Sequence, residues 1–123
     1  MQKMRTLIAN EPRVYREVIS DALMRLRPLI VEVFCCVEAD DLDGDVARLG
    51  PHLVICSRLT ESVRERCPCW VVLYPEGEDR AEIGGDGSLG IAARLLAGGA
   101  GMAELLWVVD EAAALLLKGK AGR

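Results

Sequence analysis

Apolar and polar positions along this chain alternate between two periods. Thr6-Leu7-Ile8-Ala9 is a short apolar run and reads as a first strand. Asn10-Glu11-Pro12 then opens a helix, with Asn10 as a cap and Pro12 in the first turn. Val14, Val18, Ile19, Ala22, Leu23 and Leu26 recur at helical spacing up to Arg27-Pro28 and predict its buried stripe. Leu29-Ile30-Val31-Glu32-Val33-Phe34-Cys35-Cys36-Val37 is rich in β-branched residues and predicts a second strand. The acidic turn from Glu38 to Asp45 leads into a short helix ending near Leu49. After Gly50-Pro51 comes His52-Leu53-Val54-Ile55-Cys56-Ser57, an unbroken apolar run suited to a strand buried on both faces of a parallel sheet.

Thr60-Glu61-Ser62-Val63-Arg64-Glu65-Arg66 predicts at most two helical turns, capped by Thr60. Cys67-Pro68-Cys69 ends them, and Trp70-Val71-Val72-Leu73-Tyr74 is the next strand. Beyond the loop at Pro75, Ala81 and Ile83 alternate, and Leu89, Ile91, Ala93 and Leu95 alternate again. Gly84-Gly85-Asp86-Gly87 lies between them and predicts a β-hairpin. A helix over Ile91-Ala92-Ala93-Arg94-Leu95-Leu96 competes through its propensity. Met102 to Leu117 is the clearest helix, and the basic end from Lys118 to Arg123 is expected to fray. Strands alternating with helices predict one domain of the three-layer α/β class around a mostly parallel sheet.

On a wheel of the last helix, Met102, Leu105, Leu106, Val109, Ala112, Ala113 and Leu116 gather on one side, expected to pack on the sheet. Val108 and Leu115 widen that arc on one flank and Leu117 on the other, to about twice the usual stripe. Trp107 falls outside it, among Glu104, Asp110, Glu111 and Lys118. Trp107, Val108, Leu115 and Leu117 are therefore the expected surface for a protein partner or homodimer.

Leu7-Ile8-Ala9-Asn10-Glu11-Pro12 and Arg48-Leu49-Gly50-Pro51-His52-Leu53-Val54-Ile55-Cys56-Ser57 resemble the first strand and the approach to the phosphorylation site of response-regulator receiver domains. Trp70-Val71-Val72-Leu73-Tyr74 resembles their fourth strand, and Glu104-Leu105-Leu106 their closing helix. The resemblance implies a flavodoxin-like fold, with a hairpin replacing the fourth-helix region. Receivers take phosphate on an aspartate ending the third strand, with an acid pair for Mg²⁺, a hydroxyl ending the fourth strand and a lysine ending the fifth. Here those positions read Ser57, Asn10 with Glu11, and Tyr74. No lysine lies between Lys3 and Lys118. Mg²⁺ wants carboxylates and a transferring phosphoryl group wants a cation, so phosphotransfer is not expected. The resemblance is to a degenerate, pseudo-receiver module.

Other motifs read as structural. Asp41-Leu42-Asp43-Gly44-Asp45 spaces its acids like a Ca²⁺ loop, but Gly44 is misplaced and the closing Glu is missing, which leaves a solvated loop. Alternation sends Cys35 and Cys36 to opposite faces. Cys67, Cys69 and the single histidine, His52, are expected at different ends of the strands, so the thiols read as core or turn residues. The Gly84–Gly87 and Gly98–Gly101 clusters have neither the spacing nor the place of phosphate loops.

The 123 residues are 51% hydrophobic, enough for a core, and the net charge of −4 argues against gripping nucleic acid. There is no apolar run near membrane-spanning length. Five cysteines without an export signal fit a reducing cytoplasm. The expectation is a non-catalytic regulatory module, with no cofactor or metal, working by protein–protein interaction. The alternative is a small-ligand or nucleotide binder using the carboxyl edge of the sheet, where Glu11, Ser57, Arg58 and Tyr74 would stand.

Overall fold

The computed structural model describes residues 3–73, 80–85, 94–97 and 102–121, with the side chains of Ala39, Glu104, residues 80–81, 94–97 and 117–121 left aside. Its elements in chain order are β1 (Met4–Ala9), α1 (Arg13–Leu26), β2 (Val31–Cys35), a 3-10 turn (Ala39–Asp41), α2 (Leu42–Leu49), β3 (Leu53–Cys56), α3 (Glu61–Arg66), β4 (Cys69–Leu73), β5 (Arg80–Gly85), β6 (Arg94–Ala97) and α4 (Met102–Ala121). The strands form one six-stranded sheet in the order β2-β1-β3-β4-β5-β6. The first four are parallel, and β5 and β6 add on antiparallel.

Alternation along the strands divides the core in two. Met4, Ile8, Leu53, Ile55, Val71, Leu73 and Ile83 face α1 and α4. Leu7, Ala9, Val54, Cys56 and Val72 face α2 and α3. All four residues of β3 are buried, as a strand covered on both faces requires. Helices on both faces make the domain an α/β three-layer arrangement. Strand pairing shows β5 and β6 antiparallel, with Glu82 opposite Leu95 and Ile83 opposite Arg94, as a hairpin expects, but Gly84 and Gly85, expected in its turn, belong to β5, and β6 runs from Arg94. Residues 86–93, where the competing helix would begin, lie outside the described set.

Glycine at position 84 is required by its neighbour across the pair. Gly84 stands opposite Trp70, and a Cβ there would come within 2.8 Å of the indole Nε1 and 2.9 Å of Cε2. The indole covers the glycine and takes the space a side chain would use.

Four sequence expectations are corrected. Asn10 does not cap α1; Pro12 holds the cap position, and the Asn10 side chain turns to the sheet instead. The buried stripe of α1 is Arg16, Ile19, Ser20 and Leu23, while Val14, Val18 and Leu26 are exposed. On that buried face Arg16 reaches back to the carbonyls of Asn10 and Val37. Val108 is 3% exposed and belongs to the core with Leu105, Val109, Ala112 and Ala113, because α4 presses flat on the sheet. The helix also continues to Ala121, into the stretch expected to fray.

Two contacts outside the core tie distant elements. Arg27, at the end of α1, donates from Nε to Asp110 Oδ1 at 2.7 Å and from Nη2 to Oδ2 at 3.0 Å, a bidentate pair onto α4. His52 reinforces the start of β3. Its backbone N–H donates to Arg5 O at 2.9 Å, and its ring Nδ1 accepts from Arg5 N at 2.9 Å. The imidazole thus supplies a ladder acceptor. The Arg5 guanidinium meanwhile donates to Gly50 O at 3.2 and 3.0 Å, just after α2, where Gly50 adopts φ 56°.

His52→Ala removes the Nδ1 acceptor and leaves the Arg5 amide without its partner, so denaturant unfolding should show a loss of roughly 1–3 kcal/mol, and His52→Asn, which keeps an acceptor, should lose less.

Candidate functional site

The carboxyl ends of β1, β3 and β4 meet at one edge, where the sheet's chain order changes direction between β1 and β3. Open α/β sheets bind ligands at such an edge. Ser57, at the end of β3, accepts a hydrogen bond on Oγ from Glu11 N at 2.6 Å. Asn10 reaches past β3 and donates from Nδ2 to Leu73 O at 3.0 Å. These two bonds stitch the ends of the three strands together. Asn10 is fully buried, and its Oδ1 has no hydrogen-bond partner among the described residues.

Arg16 closes the other side. It is 5% exposed, donating from Nη1 to Asn10 O at 2.9 Å and from Nη2 to Val37 O at 3.1 Å. It thereby holds the loop after β1 to the loop after β2. It makes no ion pair among the described residues; backbone carbonyls compensate its charge. Hydropathy alone hid this residue, because a charged side chain at that position reads as surface.

Of the residues expected at this edge, Asn10, Glu11 and Ser57 are together, with Glu11 and Arg58 exposed. Tyr74 lies outside the described residues. The single histidine does not stand beside Ser57: His52 is at the opposite end of β3, roughly 16 Å away at ~3.3 Å per residue. The edge as described carries structural bonds, with one free acid, Glu11.

The acidic stretch is only in part the loop expected. Asp43 and Asp45 lie in the first turn of α2. Asp41 Oδ2 accepts from Glu38 N at 3.1 Å, Asp43 Oδ1 accepts from the Thr60 hydroxyl at 2.7 Å, and Asp45 Oδ1 pairs with Arg48 at 2.8 Å. The three acids take three different partners in these bonds, while Asp45 and Asp41 also both act on the Cys36 thiol. Thr60 also caps α3, accepting from Val63 N at 3.3 Å, so one hydroxyl joins α2 to α3.

All five cysteines are free; Cys35 is exposed and the other four are buried. Cys69 pairs in register with Leu53, next to His52, so that thiol and the histidine share the amino end of the sheet, contrary to the sequence expectation. No group of three His, Cys, Asp or Glu able to hold a metal occurs among the described residues. Burial pushes the Cys36 and Cys56 thiols up to about 12 and Cys67 to about 11; the Asp45 carboxylate adds to the effect at Cys36.

On α4, Trp107 is 46% exposed and Leu115 is also exposed. They remain as the expected interaction surface, whereas Val108 leaves it for the core and the Leu117 side chain lies outside the described set. No described helix is long and apolar enough to cross a membrane.

Iodoacetamide at pH 8 should label Cys35 first, giving a single adduct by intact mass while the protein stays folded. The raised thiols favour the folded state only while protonated. Their contribution is complete below the unfolded value of 9.0 and is lost as pH rises toward about 12. Stability should therefore fall across that alkaline window, and less steeply in Cys56→Ala than in the native chain.

Compared with protein-family models, curated proteins and solved structures, the chain matches none.

Proposed function

We propose that this chain is a non-catalytic, receiver-like regulatory module, a pseudo-receiver of bacterial signalling that works by binding a protein partner or a second copy of itself. The observation that carries the reading is at the end of β3. Where a receiver has its acceptor aspartate, Ser57 stands, and its Oγ is engaged by the Glu11 amide at 2.6 Å. The parallel order β2-β1-β3-β4 supports the flavodoxin-like reading of the fold, with the β5–β6 hairpin in place of the fourth-helix region. Five free cysteines fit a reducing, cytoplasmic setting.

Binding would use the outer surface of α4. Trp107 is a large aromatic on the solvent side of a helix whose other face is committed to the core. Aromatic residues of this kind dominate binding energy at protein interfaces.

Incubation with acetyl phosphate and Mg²⁺ should leave the intact mass unchanged; gain of one phosphoryl group sinks the reading. Light scattering after size exclusion should show a dimer, or a complex with the native partner, that Trp107→Ala converts to a folded monomer. A native protein that stays monomeric and captures no partner counts against it.

A further inference from the structure

The sequence places Val14 and Val18 where a buried helical stripe is expected, yet both are exposed, at 51% and 55%. The core-facing positions of α1 are taken instead by Arg16 and Ser20 along with Ile19 and Leu23. The displaced apolar residues do not scatter over the surface. Val14, Tyr15 and Val18 form one wall of a half-open cavity of about 230 Å³, with Ile19, Leu73, Met102 and Leu105 on its other sides. Leu73 is the last described residue of β4, and Met102 opens α4. The cavity therefore sits at the carboxyl end of the sheet, on the side covered by α1 and α4.

We propose that this cavity is a binding site for a small uncharged apolar molecule, of the size of one substituted or fused ring. Its dimensions select the occupant. An apolar cavity of ~150 Å³ stays dry and takes benzene, so this larger space admits a ring with a substituent or a short branched chain. A partner helix would need a groove long enough for anchors spread over two turns, which one pocket of this volume does not provide. Among the described residues the lining includes no cation or carboxylate, and its side chains are mostly apolar, which favours an uncharged occupant. The site also adjoins the strand-end stitch: Leu73, in its wall, accepts the Asn10 amide on its carbonyl. Occupancy thus touches the same residues that hold β1 to β4. The inference does not depend on the pseudo-receiver reading, since neither Ser57 nor Trp107 is among the residues that line the cavity.

Indole is the probe. Titrated into the full chain and followed by amide NMR, it should bind saturably and shift the amides of residues 14–19, 73 and 102–105. Two variants at one exposed position test the location without disturbing the core. Val18→Phe fills the cavity and Val18→Glu charges its mouth. Each should weaken indole at least tenfold while leaving the thermal unfolding midpoint close to that of the native chain. Absence of saturable binding, binding equally tight in both folded variants, or shifts confined to other surfaces would overturn the proposal. So would a native dimer that excludes indole while the Trp107→Ala monomer admits it, since the cavity would then belong to a second copy. A failed acetyl phosphate or dimerisation test, by contrast, leaves the cavity unaffected.

Discussion

The pairing of β1 with β3 is the constraint on which the rest of this structure depends. Both strands are interior to the sheet, and Thr6 to Ala9 run in register with Leu53 to Cys56. Every described helix packs over this pair or its immediate neighbours. Interior strands expose no edge and offer both faces for burial, which explains why β3 is apolar at every position. Fully burying each of Leu53, Val54 and Ile55 contributes roughly 1.5–3 kcal/mol. The pair is fastened at both ends by polar groups. At the amino end the His52 ring extends the ladder; at the carboxyl end Ser57 and Asn10 join the strands to the loop after β1 and to β4.

Much of this was readable from residue order. Unbroken apolar runs located β1, β3 and β4, because burial on both faces removes the polar alternation that would otherwise blur a strand. The hairpin of β5 and β6 could be read from alternation interrupted by glycines. The orientation of α1 could not. Its apolar spacing supports two rotations of the helix, and hydropathy chooses the one that buries Val14 and Val18. The actual rotation puts Ile19 and Leu23 in the core with Arg16 bonded to two loop carbonyls on the same face, and no periodicity records such bonds. Val108 misled for a related reason: α4 packs broadly enough to bury a residue at the margin of its arc.

The candidate site was legible as a set of positions and not as a set of interactions. Asn10, Glu11 and Ser57 stand together because strands of similar length in a parallel sheet end together. That Ser57 accepts from an amide, or that Asn10 spans β3 to reach Leu73, depends on turn geometry several residues away. The thiols show the same limit. Spacing suggested that Cys69 and His52 lie apart, whereas strand register makes Cys69 the neighbour of Leu53.

The Arg27–Asp110 pair gives the helical layer a mechanical character. Arg27 grips α4 through its side chain, and its own carbonyl accepts the amides of Ile30 and Val31, which lead directly into β2. Ile30 O in turn accepts from Met4 N at the head of β1. Force applied to the outer surface of α4 thus has a continuous path of hydrogen bonds to the edge of the sheet. It works as a tie rod alongside the apolar packing, so a load on one helix is borne by the strand farthest from the hairpin.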